Sequence, residues 1–159
     1  MRYAYPTIAI ALILGLVLSF GNVMAAATSA TSSGQPSVSS EFKAGKKAVK
    51  EGDFRSAIAH LNKANEKNPG NADIHNLLGY SYRKLGDTDR ALEHYRIALQ
   101  INPKHRGANE YLGELYLETG QLANAEERLE VLDKACMWGC EEYDDLKEAI
   151  EKYKEKKES

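Results

Sequence analysis

The chain has 159 residues, 43% of them hydrophobic and 28% charged, which excludes a disordered or fibrous protein. Its 21 Lys and Arg stand against 23 Asp and Glu for a net charge of -2, so it lacks the basic footprint that nucleic-acid binding requires. Two cysteines are too few for a disulfide-scaffold miniprotein.

Residues 1–25 read as an export signal. Arg2 is the only charge before Glu41, and the apolar run 8–20 that follows is broken only by Gly15 and Ser19. Val23-Met24-Ala25-Ala26-Ala27 then supplies small residues at the spacing a signal peptidase reads. As a helix the run would span about 20 Å, short of the roughly 30 Å hydrocarbon core of a bilayer. An uncleaved anchor stays open as the alternative, because 8–27 is free of charge. No cysteine stands near the end of the run, which argues against a lipoprotein. The expected location is the periplasm or the medium. The alternative is an inner-membrane anchor with the rest of the chain outside the cytoplasm, and membrane contact would then be made only by this segment. Residues 26–40 are rich in Ser, Thr and Ala, with Gly34, Pro36, no charge and no apolar period. They read as a flexible linker.

From residue 38 the sequence repeats every 34 residues. Gly45, Gly79 and Gly113 share that step, as do Gly52, Gly86 and Gly120, Ala57, Ala91 and Ala125, and Leu61, Tyr95 and Leu129. A recurrence of roughly 20–50 residues marks a solenoid or array. Each unit reads as two helices. In 72–85, Ile74, Leu77, Leu78 and Tyr82 form one apolar stripe, and Gly86-Asp87 breaks the helix. Ala91, Leu92, Tyr95, Ala98 and Leu99 form the next stripe, which Asn102-Pro103 ends. Gly79 and Ala91 are small where the helices should cross. Tyr82, Tyr95 and Tyr116 fall on core positions.

The pattern resembles the tetratricopeptide repeat, W-x2-L-G-x2-Y…A-x3-F…P. The second unit carries it best, with Leu78-Gly79, Tyr82, Ala91, Tyr95, Ala98 and Pro103 in place and His75 at the Trp position. The first unit has Ala44, Ala48 and Leu61 at the corresponding positions. The third keeps Leu112-Gly113, Tyr116 and Ala125, then departs with Leu129, Leu132 and Met137. The resemblance implies an all-α, right-handed α-solenoid of three repeats within 41–139 (units 38–71, 72–105 and 106–139) and a capping helix over 140–159. It also implies a protein or peptide partner, and an inner groove lined by the first helix of each repeat. Carried onto this sequence, that groove has Phe42, Lys43, Lys46, Val49 and Lys50 in the first repeat. It has Asn76, Leu77, Tyr80, Arg83 and Lys84 in the second, and Glu110, Tyr111, Glu114, Leu117 and Glu118 in the third. The charges sort from basic to acidic, so the groove should orient a peptide or partner helix by charge and hold it on Phe42, Tyr80 and Tyr111. Solvated faces of amphipathic helices would show the same residue types. Some members of the family grip a C-terminal carboxylate with a Lys/Asn/Arg clamp. Here Phe42, Leu77, Gly107 and Tyr111 stand at key clamp positions, so that mode is not implied.

Cys136-Met137-Trp138-Gly139-Cys140 falls on the turn that Asn68-Pro69 and Asn102-Pro103 occupy in the earlier units. In an exported chain these thiols meet an oxidising compartment, and Cys136–Cys140 reads as a disulfide replacing the proline turn. A redox pair, a soft-metal site using Met137, and free thiols are the competing readings. In the last segment Tyr143, Leu146, Ile150 and Tyr153 make one narrow stripe, and Glu148 and Lys152 pair at i, i+4. This helix is expected to dock on 121–135. The run from Leu132 to Ile150 also looks like the tail of small exported bacterial tetratricopeptide proteins.

Nothing in the sequence reads as an enzyme or a cofactor site. His60, His75, His94 and His105 match no zinc spacing, and His60 and His94 should be column-mates on an outer face. No nucleophile elbow, P-loop or dinucleotide fingerprint occurs. The expectation is an exported scaffold or assembly factor of the cell envelope. The alternative is a thiol-based metal or redox handler built on Cys136 and Cys140.

Overall fold

The computed structural model describes residues 38–158. The expected export signal and residues 26–37 of the linker lie outside them. Among the described residues there are seven helices and no strand: α1 (Val38–Glu51), α2 (Phe54–Lys67), α3 (Ala72–Lys84), α4 (Thr88–Ile101), α5 (Arg106–Glu118), α6 (Leu122–Ala135) and α7 (Glu141–Glu158). The linker was expected to reach residue 40, but α1 already starts at Val38. Glu41 in its first turn favours the positive end of the helix dipole.

The punctuation of the hairpins repeats with the sequence. Gly52, Gly86 and Gly120 have φ of 75°, 80° and 78° just past the first helix of each unit, a left-handed conformation that Gly adopts without a Cβ penalty. Asp53 and Asp87 then cap α2 and α4, accepting from the backbone N–H of Ser56 and Arg90. Gln121, at the same place in the third unit, makes no side-chain cap bond.

The hairpins α1/α2, α3/α4 and α5/α6 stack in order; the first two and part of α5 share one core, while α6 and the end of α5 form a second with α7. Ala57, Leu61, Ile74, Leu78, Ala91 and Tyr95 are fully buried in the first. Close helix approach depends on the repeated glycine. A Cβ on Gly45 would lie 2.7 Å from the Leu61 side chain, and one on Gly79 would lie 2.7 Å from the Tyr95 ring.

The third unit breaks this register. The side chain that fills the space over Gly113 belongs to Leu146 of α7, at 2.6 Å from a Cβ placed there. Leu129, the column-mate of Leu61 and Tyr95, is only half-buried. The cap helix was expected to dock on 121–135. Instead it packs on both α5 and α6, and more extensively on α5. Leu146 and Ile150 are buried there with Leu117, Ala125 and Leu132. Arg106–Glu142 at 3.7 Å and Lys154–Glu126 at 2.6 Å tie α7 to α5 and α6 respectively, although such exposed pairs add little stability.

The Trp position of the family pattern is polar in all three units, and each residue there faces its own second helix. Glu41 meets His60 Nδ1 at 2.6 Å, His75 meets His94 (Nδ1 to Nδ1, 3.1 Å), and Arg128 donates to Asn109 at 3.4 Å. His60 and His94 are therefore column-mates as expected, but they are turned inward to these partners and half-buried. His75 Nε2 donates to the Pro69 carbonyl at 3.1 Å, and in the neutral ring its Nδ1 is then the acceptor toward His94. His94 also stacks on Tyr82, with ring centroids 5.4 Å apart. Burial, then the neighbouring His75, holds the His94 pKa below the ordinary value.

Cys136 ends α6 and is disulfide-bonded to Cys140, with the Cα atoms 5.6 Å apart. Gly139 turns the loop at φ 85°, and its N–H donates to the Cys136 carbonyl at 2.9 Å. No helix among the described residues is long and apolar enough to cross a membrane.

Candidate functional site: the inner face of the first helices

On α1, Lys43, Lys46 and Lys50 are exposed. With Ser40, Ala44 and Lys47 they line a cleft of about 620 Å³, whose floor is made by lysine stems and Ala44. Phe42 and Val49 are half-buried against the core, and Lys46 Nζ lies 5.4 Å from the Phe42 ring centroid.

On α3, Tyr80 is the centre of the face. Its ring lies 4.9 Å from Tyr111 and 5.9 Å from Phe54, and Lys84 Nζ stands 5.2 Å over it. The expected aromatic line of Phe42, Tyr80 and Tyr111 is thus replaced by Phe54, Tyr80 and Tyr111. Phe54 is the first residue of α2, where helical periodicity gives no cue that it faces the next hairpin. Leu77 is half-buried against the core. Asn76 is buried, with an Oδ1 that has no hydrogen-bond partner, so it is not open to a ligand as the groove reading supposed.

The acidic end is the largest departure. Arg83 reaches forward one repeat and ties up both glutamates: Nε donates to Glu118 at 3.1 Å and Nη1 donates to Glu114. Burial works against the Arg83 charge, but the hydrogen bonds and charges of Glu118 and Glu114 raise its pKa above the ordinary value. Glu110 is buried and does not line the groove. Burial, then the charges of Glu114, Asp145, Glu142 and Glu141, push its pKa up to about 8, so it is mostly a neutral acid at pH 7. Leu117 is buried in the cluster beneath α7 and also lines the cleft formed there. The second half of α7 instead walls the groove: Ala149, Tyr153 and Lys156 face Arg83, Glu114 and Glu118 across a cleft of about 660 Å³. Arg83 offsets one of the two charges of Glu114 and Glu118, so the acidic end is weaker than expected. Among the described residues, Lys43, Lys46, Lys50 and Lys84 are the cations of this face without an ion-pair partner.

A stack of helical hairpins with a ribbon of inner-face side chains defines an α-helical repeat protein. Two models of the Tetratricopeptide repeat family match residues 42–106 and 82–135, and the chain belongs to that family. A search of curated proteins finds no match. Among solved structures, the Sgt2 TPR domain from Aspergillus fumigatus is similar at 23% identity and TM-score 0.68, over 78% of this chain and 81% of that one. The TPR2B domain of yeast Sti1, solved as a complex with pHsp70, is similar at 14% identity and TM-score 0.69, over 75% and 97%. The Yersinia enterocolitica chaperone SycD, solved with a peptide of the translocator YopD, is similar at 18% identity and TM-score 0.65, over 76% and 94%. At these identities the likeness is one of fold.

Proposed function

We propose that the chain is a protein-binding scaffold or assembly factor of the bacterial cell envelope, taking an acidic segment of a partner along the inner face of α1 and α3. The observation that carries this reading is the charge on that face. Lys84 stands over the Tyr80 ring of the Tyr80–Tyr111 pair, Lys43, Lys46 and Lys50 are exposed on the neighbouring α1, and Arg83 engages both Glu114 and Glu118. Aromatics beside unpaired cations hold an acidic, partly apolar peptide by desolvated contact and by charge. Family membership and the peptide complex of SycD support a peptide partner. Export rests on the N-terminal pattern of the sequence. Cys136 and Cys140 are bonded to each other, and in that state they offer a metal no thiolate.

Affinity capture from an envelope fraction tests the reading. The wild type and the Lys43→Glu/Lys46→Glu/Lys50→Glu variant are compared with both shown to be folded. The variant should lose the specific partner. Equal capture by both would end the proposal, and N-terminal sequencing of the recovered protein would report cleavage of the signal.

A further inference from the structure

Met137 and Trp138 are 81% and 95% exposed, far beyond Leu85 and Ile101, the other exposed large hydrophobics among the described residues, at 44% and 40%. Scattered surface hydrophobics are ordinary, but these two differ in how they are held. The Cys136–Cys140 bond and the Gly139 turn fix the loop that carries them. A restrained Trp beside a Met loses little entropy on docking, and both residue types are enriched at interface centres. The core of the chain leaves the pair out entirely.

The surroundings say what it meets. Between residues 130 and 145 there are six acids (Glu130, Asp133, Glu141, Glu142, Asp144 and Asp145) and one lysine, Lys134; Lys134 pairs with Glu130 at 3.9 Å and Arg106 with Glu142 at 3.7 Å, which leaves an acidic excess. An anionic membrane repels such a tip. A cationic apolar cleft attracts it, and the chain itself carries one. The cleft on α1 is lined by Lys43, Lys46, Lys47 and Lys50 with an apolar floor. The two acids of α1 are both engaged, Glu41 with His60 and Glu51 with Lys47. The cleft and the tip sit on opposite end units of the described helices: among these, α1 packs on α2 and α3, while the loop joins α6 to α7.

We propose that the Met137–Trp138 tip of one copy docks in the α1 cleft of a second copy, joining chains head to tail. The contact is heterologous, so it propagates unless the ring closes. It rests on the proposed role of the α1 lysines as a receptor for acidic segments, and names a second copy as one such ligand.

Trp138 is the only tryptophan in the chain, so its fluorescence reports the tip directly. With the purified full chain, raising the concentration from micromolar to millimolar should shift the emission to the blue while sedimentation shows a mass above that of one chain. Added salt should reverse both changes. Trp138→Ser and the triple Lys→Glu variant should each stay monomeric with a melting temperature near wild type. Mixed in equal amounts, they should form a species of two chains, because one retains the tip and the other the cleft, and the blue shift should return. A wild type that stays monomeric with unshifted emission overturns the proposal. So does undiminished association of Trp138→Ser, or a blue shift only on vesicles of zwitterionic or anionic lipid. Loss of envelope capture by the triple Lys→Glu variant, with no complementation in the mixture, would leave the groove reading standing and remove this one. Complementation with unchanged envelope capture would do the reverse.

Discussion

The seating of Leu146 on Gly113 can be tested by a double-mutant cycle. Leu146 is fully buried, and Leu→Ala at such sites costs about 2–5 kcal/mol for lost transfer and cavity. We expect about 3 kcal/mol for Leu146→Ala, a fall in melting temperature of about 10 °C for a domain of this size. Gly113→Ala adds a Cβ 2.6 Å from the Leu146 side chain. Overpacking costs about 1–3 kcal/mol, and replacing a mid-helix Gly returns about 1 kcal/mol of helix propensity. The single variant should therefore lose about 1 kcal/mol. In the Leu146→Ala background the clash is gone and only the propensity gain of about 1 kcal/mol remains, so Gly113→Ala should now stabilise. The two effects differ in sign, a coupling of about 2 kcal/mol. Urea titrations of the four proteins, followed by circular dichroism, measure it. If the effects add within about 0.5 kcal/mol, α7 is not seated on α5 as described.

Three further outcomes are expected. Glu110 has a pKa raised to about 8, so the native state keeps a proton that the unfolded chain gives up near the ordinary value. Its contribution is present at low pH and lost as pH rises towards about 8, and Glu110→Gln should flatten that decline in urea titrations across the range. His94 has a lowered pKa, so the unfolded chain protonates first and stability should fall as pH drops below the ordinary histidine value of about 6.5. His94→Gln should weaken that acid loss, again by urea titration, and an unchanged slope would refute the role of the pair. Gln121→Asp restores the cap that Asp53 and Asp87 supply elsewhere. It should stabilise the fold by about 1 kcal/mol, read as a higher melting temperature.

The hairpins were legible because their signals are local. A helix-breaking Gly-Asp and an Asn-Pro stop can each be read within a few residues, and the 34-residue step repeats them. Positions 41, 75 and 109 face positions 60, 94 and 128 at a constant offset of 19, but reading His60 and His94 as column-mates without these partners placed them on an outer face. The seat of α7 could not be read, because a stripe shows which face of a helix is buried and not which neighbour fills it. Leu129 and Leu146 are equally good apolar candidates for the space over Gly113. The charge pattern misled for the same reason. Arg83 lies 31 and 35 residues from Glu114 and Glu118, so the glutamates looked free when sorted by repeat. Burial of Glu110 depends on a helix that begins some 30 residues later.

The way α7 folds in over the last hairpin also decides where such an array can grow. By taking the space over Gly113, it ends the stack with a helix that does not repeat the unit, so a hairpin added after it would meet a charged outer surface. A duplicated 34-residue cassette inserted between the first and second units would find matching neighbours on both sides. Lengthening by duplication is therefore an upstream event, and the same terminus can serve descendants of any length.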